Sequence, residues 1–115
     1  MEQRHKVLQT IGLATRARRL VSGEDTCQRQ LRAGKGQLCI VEEDASDNTK
    51  KRFSNMCNYN KVEIVFFGQK EELGKFTGKE IRTVIVITDD GFAKKIKELL
   101  AELTGVHEIG KNKST

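Results

Sequence analysis

The chain has 115 residues, enough for one domain around one core, and 32% of them are charged. No apolar run approaches the ~20 residues of a membrane-spanning helix, and Met1–Lys6 is charged where a signal peptide needs an apolar centre. A formal net charge of +5 suits a nucleic-acid partner without requiring one. In chain order, Val7, Leu8, Ile11, Ala14 and Thr15 recur at helical spacing and predict a helix over 3–15. The basic run Arg16, Arg18, Arg19 follows, then a short strand at Leu20–Val21. A second helix is predicted over Glu24–Ala33, stopped by Gly34 and Gly36. Leu38–Val41 is continuously apolar and reads as a strand buried on both faces. Ser46 or Asp47 can cap a third helix reaching about Asn58. Val62–Phe67 reads as a strand ended by Gly68, and Lys70–Lys75 as a short helix. The β-branched run Thr83–Thr88 reads as a central strand. Asp89 or Asp90 then caps a last helix with the stripe Phe92, Ile96, Leu99, Leu100, Leu103. The remainder, 104–115, is polar and is expected to be a disordered tail behind a single domain over 1–103. Strands alternating with helices argue a three-layer α/β/α domain.

The segment Leu20–Arg29 carries the most chemistry. An apolar strand meets Gly23, and a helix then opens with Glu24, Asp25 and Thr26. A glycine admits close approach of another backbone, and a helix start offers free N–H donors to a phosphate or a base edge. The two acids argue against a bare phosphate. They can accept from guanine or satisfy the helix end. Asp25 and Arg29 stand four apart and can also form an ordinary i, i+4 pair.

Other chemistries find less support. Cys27, Cys39 and Cys57 are odd in number and lack CxxC spacing, so reduced thiols in a cytoplasmic protein are expected, with Cys39 and Cys57 packed inside. Cys27 lies near a helix start, which favours a thiolate, but no His or second Cys is close in sequence to make it a nucleophile. His5 and His107 sit near the chain ends, which disfavours a zinc site. Glu42-Glu43-Asp44 after a buried strand resembles part of a magnesium pocket, which would also need a phosphorylatable Asp and a nearby Lys; Asp89-Asp90 is better explained as a helix cap. Gly34-Lys35-Gly36 lacks P-loop spacing. One Tyr, five Phe and no Trp argue against an aromatic base-stacking platform. No catalytic residue, metal or cofactor is expected.

The ordered set Gly12-Leu13-Ala14, Arg16-Ala17, Leu20-Val21-Ser22-Gly23, Glu43-Asp44-Ala45-Ser46, Asn48-Thr49, Lys70-Glu71-Glu72-Leu73-Gly74 and Gly78-Lys79 resembles the YlxQ-like bacterial branch of the kink-turn-binding ribosomal-protein superfamily. The resemblance covers roughly residues 4–103. It implies an α/β/α sandwich around a mixed four-stranded sheet. It also implies a non-enzymatic, ribosome-associated protein that binds RNA kink-turns, sharp bends built on tandem G·A pairs. In the family, the start of the second helix and a loop before the last strand contact RNA. These match Gly23–Arg29 and about Lys79–Val84.

Carried over position by position, Arg29 occupies the family's lysine position and can bond guanine O6 and N7 together. Asp25-Thr26 stands where the family commonly has Asn-Glu. An ionised Asp25 accepts but cannot donate, so altered selectivity is expected. Gly23, Glu24, Gln28 and Arg32 complete the helix side of the expected site. On the loop side, Ile81 and Val84 preserve apolar contact with a flipped-out nucleotide, Arg82 adds a charge, and Thr83 lies between them. Arg16, Arg18, Arg19, Arg32 and Lys35 can form a solvated face; they also flank the site, so a share of them is expected to contact backbone phosphate. Expected partners are structured RNA, ribosomal RNA included, and ribosomal or assembly proteins; no membrane is involved and a monomer is expected. The competing class is a protein-interaction module of the same fold that has lost kink-turn specificity.

Overall fold

The computed structural model describes residues 2–104, and within them the apolar periodicity resolves into five helices and four strands. In order these are α1 (Glu2–Arg16), β1 (Leu20–Ser22), α2 (Glu24–Arg32), β2 (Leu38–Val41), α3 (Asp47–Asn60), β3 (Ile64–Phe66), α4 (Lys70–Phe76), β4 (Val84–Ile87) and α5 (Asp90–Thr104). The expected tail lies outside the described residues beyond Thr104. Among the described residues, no helix is long and apolar enough to cross a membrane.

The sheet order is β1-β4-β2-β3. β4 runs antiparallel to both β1 and β2, whereas β2 and β3 are parallel, so the sheet is mixed. The two most apolar runs, β2 and β4, are the inner strands, and every residue in them is buried. Side chains alternate across a strand, so each inner strand feeds two cores. Leu38, Ile40, Ile85 and Ile87 meet Val7, Ile11, Leu73 and Ile96 from α1, α4 and α5. Cys39, Val41, Val84 and Val86 meet Cys27, Leu31, Phe53 and Cys57 from α2 and α3. The result is the three-layer sandwich.

The open choices at the caps close on single hydrogen bonds. Ser46 caps α3, its Oγ accepting from Thr49 N–H at 3.1 Å. Asp89 caps α5, its carboxylate accepting from Phe92 N–H at 2.9 Å. The third strand is shorter than expected. Lys61 turns left-handed at the end of α3, and Val62 N–H closes onto Cys57 O at 2.8 Å, leaving Val62 outside the ladder.

An ion pair ties the two helices at one edge. The Arg4 guanidinium lies 5.2 Å from the Phe67 ring centre and donates to both Glu72 carboxylate oxygens, at 2.7 and 2.8 Å. Glu72 also accepts from Gln69 N–H at the start of α4. The Arg4 bonds hold the Glu72 carboxyl below its ordinary range, against the opposing pull of burial. A carboxyl depressed in the folded state stabilises above its unfolded pKa of about 4.3, and that contribution is lost as pH falls through the folded value. Glu72→Gln should therefore lower the melting temperature at pH 7. The gap to wild type should close as the pH is taken below about 4. Thermal melts across that range check it; a gap independent of pH would assign the loss to packing alone.

Candidate nucleic-acid interface

The β1–β4 ladder delivers two distant segments to one place. Ser22 pairs with Ile85, and Gly23 N–H continues the pairing onto Val84 O at 3.0 Å. The chain then turns into α2 at Gly23, with φ 95° and ψ 147°. An L side chain is strained at that positive φ, which is why glycine stands there. With no side chain to cap the helix, the first N–H groups of α2 keep no cap hydrogen bond.

On the other strand, Arg82 immediately precedes the ladder. Its Nε donates to Ser22 Oγ at 2.7 Å, and its guanidinium sits 3.9 Å from where a side chain at position 23 would begin. Arg82 N–H donates to Lys70 O at 3.0 Å, and Thr83 O accepts from Glu42 N–H at 2.9 Å. The loop is thus pinned at three points, to Ser22 just before α2, to the start of α4 and to the end of β2. Ile81 is 46% exposed.

The expected site residues divide. Gly23 and Arg82 are brought together; Asp25, Thr26 and Arg29 follow Gly23 along α2, and Ile81 and Thr83 flank Arg82 in the chain. Asp25 and Arg29 are exposed. Among the described residues Arg29 forms no ion pair; its Nη2 donates to Thr26 Oγ1 at 3.3 Å instead, so the i, i+4 pair with Asp25 does not form. Gln28 is half-buried on α2. The Glu24 carboxylate is engaged across the helix pair by Arg52 of α3.

One expectation is corrected, and the flanking basic residues take separate places. Val84 is fully buried among Cys27, Phe53 and Val86, so its side chain belongs to the core and cannot offer the loop's apolar contact. Arg32, the last residue of α2, lies about 12 Å along the helix from its start. Arg19, whose carbonyl accepts from Thr88 N–H, and Lys35, after α2, sit at the far end of β1 and α2. Four residue steps along β1 separate Arg19 from Gly23 by about 13 Å.

Cys27 also departs from the thiolate its helix position suggests. It is fully buried, its Sγ lies 3.6 Å from the carbonyls of Val21 and Val84, and burial pushes its pKa up to about 12 against the pull of Arg82. The thiol anchors α2 on the sheet. Cys39 is pushed up as well, by its hydrogen bond with Cys57 and by burial. Glu42 accepts from Asp44 N–H and Glu43 from Gly68 N–H. Both carboxylates therefore serve the turn after β2.

Sequence reasoning passes over Arg52. Its one local signal is its place beside the buried Phe53–Cys57 stripe of α3, on the flank that meets a neighbouring helix. Pairing with Glu24 offsets one of the two acidic charges at the α2 start, which lowers repulsion toward a polyanion.

A model of the ribosomal protein L7Ae/L30e/S12e/Gadd45 family matches residues 5–98. The chain is 44% identical over 90 residues to the RNA-binding protein YlxQ of Bacillus subtilis (strain 168), covering 78% of this chain and 90% of that one. It is 39% identical over 97 residues to the RNA-binding protein YlxQ of Enterococcus faecium, covering 84% and 93%. A solved protein of unknown function from Bacillus halodurans C superposes with a TM-score of 0.78 at 35% identity, covering 82% of this chain and 95% of that chain. The Giardia lamblia 15.5kD RNA binding protein superposes at 0.73 with 21% identity, over 92% and 91%, and shares the fold.

Proposed function

The chain belongs to the ribosomal protein L7Ae/L30e/S12e/Gadd45 family, and we propose that it is a non-enzymatic RNA-binding protein that docks a kinked RNA on the face between the α2 start and the loop before β4. The observation that carries the reading is the Gly23–Val84 hydrogen bond with the Arg82–Ser22 bond beside it. Together they hold uncapped N–H donors, an unpaired arginine and an exposed isoleucine on one preformed surface. Two similar proteins bearing the name RNA-binding protein support it.

The mechanism is rigid docking. A kinked RNA exposes guanine edges that a regular A-form groove hides. Arg29 reads guanine O6 and N7, and Asp25 accepts from a guanine N–H. Ile81 packs against the unpaired bulge nucleotide, and Arg82 meets a phosphate beside it. The protein binds the kinked state better than the extended one, so binding shifts the RNA toward the kink. Ribosomal RNA is the proposed source, since the family is named for ribosomal proteins. Three free thiols fit a reducing cytoplasm.

The test compares a short duplex carrying a simple kink-turn with the same duplex in which Watson–Crick pairs replace the G·A pairs, both at ~150 mM salt. Tight binding to the first alone is expected. Equal binding to both, or binding to neither, overturns the kink-turn reading and favours the protein-interaction module.

Arg82→Ala should reduce the salt dependence of binding by about one phosphate contact. It should also destabilise the fold by about 1 kcal/mol through the lost bond to Ser22. Ser22→Ala separates the two effects, since it removes the bond and leaves the charge. Binding isotherms over a salt series decide the matter; an unchanged slope in Arg82→Ala removes that residue from the interface.

A further inference from the structure

Resting on the RNA-binding reading, we infer that a second, separate nucleotide site lies in the groove between α2 and α3, where an unpaired nucleotide flanking the kinked duplex stacks on Tyr59. The groove is lined by Arg32, Arg52, Asn55, Met56, Tyr59 and Asn60. Positions 52, 56 and 59 recur at spacings of four and three, so one flank of α3 faces the end of α2.

Tyr59 is 86% exposed, far more than the other large hydrophobic side chains left at the surface. Its ring lies on a helix whose core stripe is already supplied by Phe53 and Cys57. Among the described residues its hydroxyl takes part in no hydrogen bond. An exposed ring beside arginine is the arrangement that stacks bases without regard to sequence. The sheet faces are covered by helices, so a base finds its aromatic partner on α3 and not on a strand platform.

Charge points to the same occupant. Arg52 is engaged by Glu24 and lies 4.9 Å from the Phe53 ring centre. Arg32 forms no ion pair among the described residues. The groove thus holds one uncompensated guanidinium for a phosphate. Asn60 donates to Met56 O at 2.8 Å, and Asn55 is exposed, its amide taking part in no hydrogen bond among the described residues. Arg52 links the two surfaces through Glu24 at the α2 start, so a strand leaving the kink can run along α2 into the groove.

Two RNAs and three variants test it. One RNA is the blunt kink-turn duplex; the other is identical but carries a short single-stranded oligouridine extension at one end, and each end is tried in turn. One extended RNA should bind the wild-type protein about tenfold more tightly than the blunt duplex. Tyr59→Ala should abolish that gain while binding the blunt duplex like wild type. Tyr59→Phe should keep the gain, and Arg32→Ala should weaken it and flatten its salt dependence. Tyr59 is the single tyrosine of the chain, so its ring signals in an NMR spectrum are unambiguous and should move upfield only with the extended RNA.

Equal affinity of wild type for blunt and extended RNAs overturns the groove site and leaves the kink-turn face standing. A gain that survives Tyr59→Ala also overturns it. Failure of wild type to bind any of these RNAs overturns both readings together, and points to a protein as the occupant of the groove.

Discussion

Replacing Gly74 by alanine should destabilise the protein by about 2 kcal/mol or more and weaken its hold on RNA at the same time. The sign is opposite to helix propensity. In the interior of an exposed helix, alanine is favoured over glycine by about 1 kcal/mol. At Gly74 of α4 the added Cβ would stand 2.4 Å from Glu80 O, 2.6 Å from Glu80 C and 2.7 Å from Ile81 N. All three are backbone atoms, so no side chain can rotate away and the loop itself must move. Gly74 O also accepts from Thr77 N–H and from Lys79 N–H, the latter at 2.7 Å, so the same residue terminates α4 and starts the loop.

Displacing Glu80 and Ile81 carries Arg82 with them, off Ser22 and off the α2 start. Stability and binding should therefore fall together, which distinguishes this variant from a surface change. For a domain of this size the melting temperature should drop by about 10 °C. Thermal melts and binding to the kink-turn duplex check both parts. A melting temperature equal to wild type would mean that the loop retreats without cost, and an unchanged affinity would remove the loop from the interface.

Arg29→Ala should lower affinity for a kink-turn RNA by about ten- to a hundredfold while leaving the fold as stable as wild type. The two halves of that expectation have separate grounds. Arg29 is exposed, has no ion pair among the described residues and makes only a 3.3 Å bond to Thr26, so its removal disturbs nothing that holds the fold together. Its planar fork can bond guanine O6 and N7 together, an interaction worth about 1–3 kcal/mol. Arg29→Lys keeps the charge and loses the fork, so it should restore part of the affinity and little of the guanine preference. Binding titrations at fixed salt, with the guanine opposite Arg29 replaced by adenine, resolve charge from readout. If alanine at position 29 binds as wild type does, α2 presents some other residue to the RNA.

The layers of the fold are legible in the chain because they follow from local pattern. Leu38–Val41 and Val84–Ile87 are short, continuously apolar and rich in β-branched residues, the pattern of strands covered on both faces. The stripes of α1 and α5, the glycine before α2 and the Ser46 or Asp89 caps all speak within a turn or two of sequence. The same locality explains the errors. Val62 is as β-prone as its neighbours, yet its N–H is taken by the end of α3. Cys27 sits where a helix start favours a thiolate, yet desolvation between α2 and the sheet outweighs that pull.

By itself, then, the sequence determined which segments become helices and strands, that helices cover both sides of a sheet, and that the α2 start is a chemically suggestive stretch; the 79–84 loop entered through the family resemblance. Only the tertiary structure decided how those stretches combine. Strand order brings residue 23 beside residue 82, and Arg52 beside Glu24, across separations of 59 and 28 positions. No periodicity encodes such distances, because each contact depends on which strands pair and on which face every helix packs. That same geometry turns Val84 inward and leaves Tyr59 exposed in one groove with Arg32.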